Sequence, residues 1–283
     1  MSASIAYLGP PGTYTEAAAL AYINTLAKEA SDKSLLCPYP SIAQTLQSVA
    51  QGEADLAVVP VENSIEGSVV ITLDMMWQLD SLQIQQALVL SIRHALLSQA
   101  LGLDSIRTVY SHPQALAQCQ RWLENRLPSV QLVPTNSTTE SLKYLDEDYT
   151  AAAIASQRAA KIYGLPILAS SINDYPDNCT RFWVLGKQTS KKGRHTSLAF
   201  STPANIPGAL VKPLEVFANR EINLSRIESR PTKRSLGEYL FFIDLEADSS
   251  SSYIQAALSD LASHTEILKI FGSYSVLVVE SPT

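Results

Sequence analysis

An α/β protein in two parts is the fold class that the sequence predicts, and three observations predict it. From Ile5 to Gly186, short apolar strands alternate with helix-like segments, the pattern of a mostly parallel sheet covered by helices. Residues 187–194, Lys-Gln-Thr-Ser-Lys-Lys-Gly-Arg, are basic and polar and have no apolar periodicity, so they read as a linker. Residues 195–283 then order strand, helix, strand, strand, helix, strand, which is ferredoxin-like.

The first strand is Ile5–Leu8. A tight turn, Gly9 to Thr13, leads into the helix AAALAYINTLA, which Thr13 or Thr15 would cap; Glu16 completes a capping box if Thr13 is the cap. Strand SLLCPY, a helix over 41–51 ending at Gly52, strand 55–61 and a helix over 67–79 follow. LQIQQALVLSIRHALLS reads as one long strand or a pair. Further strand–helix units lie at 106–110 with 113–126, 130–134 with 137–146, and 151–155 with 156–163, before the strand FWVLG. In the second part come strand HTSLAFS, a helix over 207–219, strands 222–230 and 237–246, a helix over 250–263 and strand 266–272, with SVLVVE closing the chain.

Composition bounds the function. The chain has 283 residues, 46% of them hydrophobic, which is enough for more than one core. A net charge of −6 argues against nucleic acid as partner, and no apolar run reaches the length of a membrane span. The three cysteines (Cys37, Cys119, Cys179) form no C-x-x-C pair, and the four histidines form no metal motif, so neither a disulfide frame nor a metal site is expected. With no targeting segment before the first strand, the expectation is a cytoplasmic protein.

Two junctions carry chemistry. Asn173-Asp174-Tyr175-Pro176-Asp177-Asn178-Cys179 is a loop of turn formers that delivers Thr180, Arg181 and Phe182 at the head of a strand. A hydroxyl beside a guanidinium suits an anionic substrate from which an oxygen must depart; the plainer alternative pairs Arg181 with Asp174 or Asp177. Strand LAVVPV likewise ends in Glu62-Asn63-Ser64, where an open α/β sheet binds ligands, although Asn63 or Ser64 could simply cap the next helix.

Together with YLGPPGTYTE at residues 7–16 and Ser111-His112-Pro113-Gln114-Ala115-Leu116-Ala117-Gln118-Cys119, these segments resemble the prephenate dehydratase family, in order and across residues 5–187. The resemblance implies a catalytic domain over 1–187 folded as two lobes like a periplasmic binding protein, one of about 1–80 plus 170–187 and the other 81–169. It also implies conversion of prephenate to phenylpyruvate without a cofactor. Thr180 is then assigned to the departing hydroxyl, with Glu62 as proton source or structural acceptor and Asn63 and Ser64 orienting the substrate. Arg181 would hold a carboxylate, Phe182 would pack the site wall, and Thr13, Ser111 and Gln118 would complete the binding site; for Gln118 a surface helix position stays open. His112, before Pro113, reads as a turn residue. The alternatives are arogenate dehydratase, or a binding protein without catalysis.

The block 195–283 resembles an ACT domain. Gly208, Ala209, Leu210 and Val211, with Glu228, Ser229, Arg230 and Pro231, match the motifs that form a phenylalanine pocket between paired ACT domains, which implies L-phenylalanine as effector and a homodimer or homotetramer. Ordinary helix–sheet packing is the alternative for Gly208 and Leu210. Two positions depart from easy expectation: Asn219 stands where a left-handed cap is needed, and Pro213 lies inside the expected helix, tolerable only near its start.

Overall fold

The computed structural model describes residues 3–27, 34–146, 148–190 and 192–280. β1 (Ser4–Leu8) leads into α1 (Tyr14–Ala27), followed by β2 (Leu35–Tyr39), α2 (Ile42–Gln51) and β3 (Leu56–Asn63). Thr13 opens α1, its Oγ1 accepting from Glu16 N at 3.2 Å while Glu16 Oε2 accepts from Gly12 N at 2.8 Å. α2 is capped by Ser41 and stopped by Gly52 at φ 85°, a conformation that glycine adopts without strain. After β3 the chain does not enter a helix directly. Asn63 Oδ1 accepts from Ile65 N and Glu66 N, which folds a tight turn into β4 (Gly67–Ser68), antiparallel to β3. The helix expected over 67–79 is therefore α3 (Val70–Gln78).

β5 (Gln83–Ser91) and β6 (His94–Leu97) resolve the ambiguous 82–98 stretch as two strands, and they belong to different sheets. The second lobe continues with β7 (Thr108–Ser111), α4 (Pro113–Ala117), α5 (Gln120–Arg126), β8 (Gln131–Pro134), β9 (Ala151–Ser156), α6 (Gln157–Tyr163) and β10 (Ile167–Ser170). The helix expected over 113–126 is broken at Gln118 and Cys119, and that expected over 137–146 is only a 3-10 turn at Glu140–Tyr144. β11 (Cys179–Gly186) returns to the first lobe and lies antiparallel between β5 and β3. The chain thus changes lobe near residues 92 and 172, so β5 belongs to the first lobe and not to the second lobe expected over 81–169. Asn173 clips the two crossings together, its Oδ1 accepting from His94 N and its Nδ2 donating to Ile92 O.

Of the linker expected at 188–194, Lys191 lies outside the described residues. The C-terminal part comprises β12 (His195–Ser201), α7 (Val211–Ala218), β13 (Leu224–Pro231), β14 (Tyr239–Leu245), α8 (Ser252–Ser263), β15 (Ile267–Tyr274) and β16 (Val276–Val279). Its sheet has the order β13-β14-β12-β15. Pro213 is the third residue of α7, where its missing N–H has no helical partner. The left-handed residue after that helix is Glu221 at φ 53°, while Asn219 keeps a right-handed conformation at φ −66°.

Period-two alternation makes this sheet two-faced. Leu198, Phe200, Ile243 and Leu245 pack with Phe217 and Leu261 of the helices. Ala199, Leu240 and Phe242 face the other way and share one core with Trp183 and Leu185 of the first lobe. The closing strand goes further. β16 leaves the ACT-like sheet and pairs in parallel with β5, so the sheet of the first lobe runs β16-β5-β11-β3-β1-β2. The sequence reading had placed those residues with the block 195–283. An apolar strand that closes one domain is free to add to a neighbour's open edge.

Candidate active site

β3 ends beside the start of the antiparallel β11, with Asn63 and Thr180 as register partners. Both are buried, 6% and 8% exposed, as are Asn178 at 1% and Gln118 at 3%. Asn63 Nδ2 donates to Thr180 Oγ1 at 2.9 Å and to Asn178 Oδ1 at 2.8 Å. The amide orientation is fixed at its other end, since Oδ1 is already held by the two backbone N–H groups of the turn. Thr180 Oγ1 is therefore an acceptor toward Asn63, and its own proton remains free for a further acceptor. Ser64 Oγ accepts from Cys179 N at 3.0 Å and lies 3.3 Å from Asn178 Oδ1.

The second lobe closes on this group through Gln118. Asn178 Nδ2 donates to Gln118 Oε1 at 2.9 Å, and Gln118 Nε2 lies 3.5 Å from Asn63 Oδ1. Behind Gln118 stands His94, whose Nε2 is 3.1 Å from Oε1 and whose Nδ1 is 3.0 Å from the Tyr14 hydroxyl. Burial pushes His94 down to about 4, so it is neutral at pH 7, and burial raises the Tyr14 phenol.

Four of the sequence-assigned residues thus come together: Thr180, Asn63, Ser64 and Gln118. Five do not. Arg181 and Glu62 are partners of each other across β11 and β3, on the opposite face of the sheet. Arg181 NH2 meets Glu62 Oε2 at 3.3 Å, and NH1 meets Asp244 Oδ2 at 3.0 Å, so the guanidinium is occupied by the C-terminal part. Neither Asp174 nor Asp177 is its partner: Asp174 accepts from Arg121 N and Trp122 N. Phe182 is 1% exposed within the core beneath α1. Thr13 Oγ1 is spent on Leu8 O and Glu16 N, and Ser111, with no exposure, donates to Ile154 O inside the second lobe. His112 caps α4.

The physical reason for the Arg181 and Glu62 outcome is elementary: consecutive strand residues point to opposite faces, so Thr180 and Arg181 cannot both enter one cleft. The same alternation, applied to the motifs, would have found this. Sequence reasoning missed Asn178, His94 and Tyr14. Asn178 carried a signal, since it precedes Thr180 by two residues and shares its face. His94 and Tyr14 carried none, because they come from different lobes, β6 and α1, and only the tertiary structure brings them together behind Gln118.

Beside Cys179 and Tyr14 lies a cavity of about 990 Å³ between the lobes, whose wall carries Arg93, Lys161, Glu280 and Arg158, the last paired with Glu16 at 3.0 Å. A second, of about 900 Å³, includes Thr13 and Thr139. The proposed effector motifs sit elsewhere. Gly208 has φ 81° with open space where a Cβ would lie, and Val211 is exposed. Glu228 and Arg230 turn toward the first lobe, accepting from Ser68 Oγ at 3.2 Å and pairing with Asp74 at 3.4 Å. Ser229 and Pro231 are exposed on the other face, while Ala209 and Leu210 are half-buried. Among the described residues, no helix is long and apolar enough to cross a membrane.

The prephenate dehydratase family model matches residues 5–190, and the ACT domain model matches residues 196–262. A prephenate dehydratase of Lactococcus lactis subsp. cremoris is 39% identical over 283 residues, covering 96% of this chain and 97% of its own. The crystal structure of a prephenate dehydratase from Arthrobacter aurescens in complex with L-Phe superposes with a TM-score of 0.87 at 36% identity, covering 96% of this chain and 90% of that one. The structure of GqqA, described as a quorum-quenching acylase, superposes with a TM-score of 0.80 at 27% identity, covering 99% and 98%. The expected two-lobed α/β unit followed by a ferredoxin-like ACT domain is met, and with matches that run nearly end to end the chain belongs to the prephenate dehydratase family.

Proposed function

We propose that this chain catalyses the decarboxylating dehydration of prephenate to phenylpyruvate, as a carbon–oxygen lyase without a cofactor. Prephenate dianion and one proton give phenylpyruvate anion, carbon dioxide and water. The ring C–O bond breaks as the ring C–carboxylate bond yields its electron pair to the aromatic ring. What the protein must provide is orientation and a proton for the departing oxygen.

The observation that carries the reading is the hydroxyl of Thr180. It accepts from Asn63 and keeps its own hydrogen free, so it can donate to the oxygen that leaves. Glu62 lies across the sheet from that hydroxyl and is not its proton source in this reading. Arg93 and Lys161 on the wall of the neighbouring interlobe cavity suit a carboxylate-bearing substrate. L-Phenylalanine acts as inhibitor at the Gly208 and Glu228 motifs of paired ACT domains, in a cytoplasmic homo-oligomer; the L-Phe complex of the Arthrobacter relative supports the effector.

The test is phenylpyruvate formation from prephenate by Thr180→Val and Thr180→Ser. Val should lower kcat at least roughly a hundredfold with KM within a few-fold, and Ser should retain most of it. Near-normal turnover in Thr180→Val removes the leaving-group role. Faster turnover of arogenate, or cleavage of an N-acyl amide without any dehydration, would replace the substrate.

A further inference from the structure

The amide chain at the interlobe contact has a polarity that can be worked out from its anchored end. Asn63 Oδ1 is committed to Ile65 N and Glu66 N, so Asn63 presents its NH2 to Asn178 Oδ1. Asn178 must then present its own NH2 to Gln118 Oε1, which leaves the Gln118 NH2 turned toward Asn63. Gln118 Oε1 consequently faces His94 Nε2 at 3.1 Å. Two lone pairs at that distance would repel, so Nε2 must carry a hydrogen. The other nitrogen, Nδ1, is then an acceptor 3.0 Å from the Tyr14 hydroxyl, whose single hydrogen it shares with Arg93 O at 2.7 Å. Facing His94 are Tyr14 from α1, Gln118 after α4, and Asn173 from the returning loop, whose Oδ1 holds the His94 backbone N–H at 2.6 Å; none of these side chains is charged at neutral pH.

We propose that His94 is a positioning residue for the dehydration: held as its Nε2–H tautomer, it keeps Gln118 turned with its NH2 toward Asn63 and so sets the amide that orients Thr180. This rests on the proposed function for its catalytic consequence, not for its geometry. Without the Nε2–H donor, Gln118 Oε1 loses one of its two donors and the carboxamide can flip. A flipped amide would aim an oxygen at Asn63 Oδ1, oppose Asn178 Nδ2 with a donor, and loosen the set around the threonine hydroxyl. Gln118 Oε1 is held between Asn178 Nδ2 and His94 Nε2, so the tautomer follows from the amide chain that joins the two lobes.

The tautomer is read directly by long-range ¹H–¹⁵N NMR on the full chain labelled at histidine, at neutral pH, with the His94 signals assigned by their loss in His94→Gln. The chain has four histidines, so the spectrum is tractable. Nε2–H with an unprotonated Nδ1 is expected; an Nδ1–H tautomer or an imidazolium overturns the proposal. Kinetics with prephenate give the second arm. His94→Leu should lose roughly tenfold in kcat with KM nearly unchanged, and His94→Gln, which still offers an N–H, should recover most of it. Equal losses in the two variants, or a His94→Leu enzyme within twofold of the parent, overturns the positioning role. Absence of prephenate turnover in the parent protein would refute the functional reading, while the tautomer of the free protein would still decide the geometry.

Discussion

Thr180 and Arg181 are consecutive in β11 yet serve opposite faces of its sheet: the hydroxyl lies 2.9 Å from Asn63 Nδ2 and the guanidinium 3.0 Å from Asp244 Oδ2. Asp244 is 1% exposed and is also held by Arg226 Nε at 2.8 Å and by Ser197 Oγ. One dipeptide therefore belongs both to the candidate active site and to the seam between the catalytic sheet and the C-terminal domain.

Arg181→Met should act on that seam. It takes one of two cations from a buried carboxylate while leaving Arg226 in place. The expected cost is about 1–2 kcal/mol, kept low because Arg181 is partly solvated. Thermal unfolding should shift down by several degrees, with KM for substrate within about threefold. A tenfold rise in KM at an unchanged melting temperature would show that the guanidinium reaches the substrate after all.

Stability should fall in mild acid through His94. Its folded value, about 4, lies below the ordinary 6.5, so its contribution is complete above about pH 6.5 and is lost as the pH falls toward 4. The whole effect is about 3 kcal/mol, of which about 2 is gone by pH 5. Urea denaturation of the parent and of His94→Leu between pH 7 and pH 5 checks this. The variant should lose less stability over that interval; parallel curves would mean that His94 does not resist protonation.

Removing the C-terminal part at Gly186 should cost the catalytic unit its own integrity. The cut deletes β16 from the edge of the first sheet and uncovers the core around Trp183 that Ala199, Leu240 and Phe242 cover. Such a truncation should aggregate or melt far below the full chain. A truncated chain with an undiminished melting temperature would show that the two parts are independent.

Glu228→Ala should uncouple phenylalanine from catalysis. Its carboxylate accepts from Ser68 Oγ in β4, immediately after the turn that Asn63 organises. Inhibition should weaken at least roughly tenfold while turnover without effector stays near normal. Loss of turnover with inhibition intact would move Glu228 out of the effector site.

Much of this architecture was legible in the residues. Strand alternation and caps located most elements, because such patterns depend only on neighbours two to four positions away. The motif residues Asn63, Ser64, Gln118 and Thr180 were legible too, and they do meet. Three of the assignments that the structure sets apart from the site shared one cause. Arg181, Glu62 and Ser111 were placed by proximity to a motif, and a motif does not state which way its side chains face. Thr13 was assigned to substrate although its capping chemistry already accounted for it.

By itself the sequence determined the two-part α/β order and the polar junctions where β3 ends and β11 begins. Only the tertiary structure decided which face of those strands meets the opposite lobe and which is covered by the C-terminal domain. It also decided that β16 would cross to the other sheet and that His94 and Tyr14 would meet behind Gln118. The physical reason is that periodicity is a local property and tells two faces apart without ordering them. What packs against each face comes from residues tens to more than a hundred positions away.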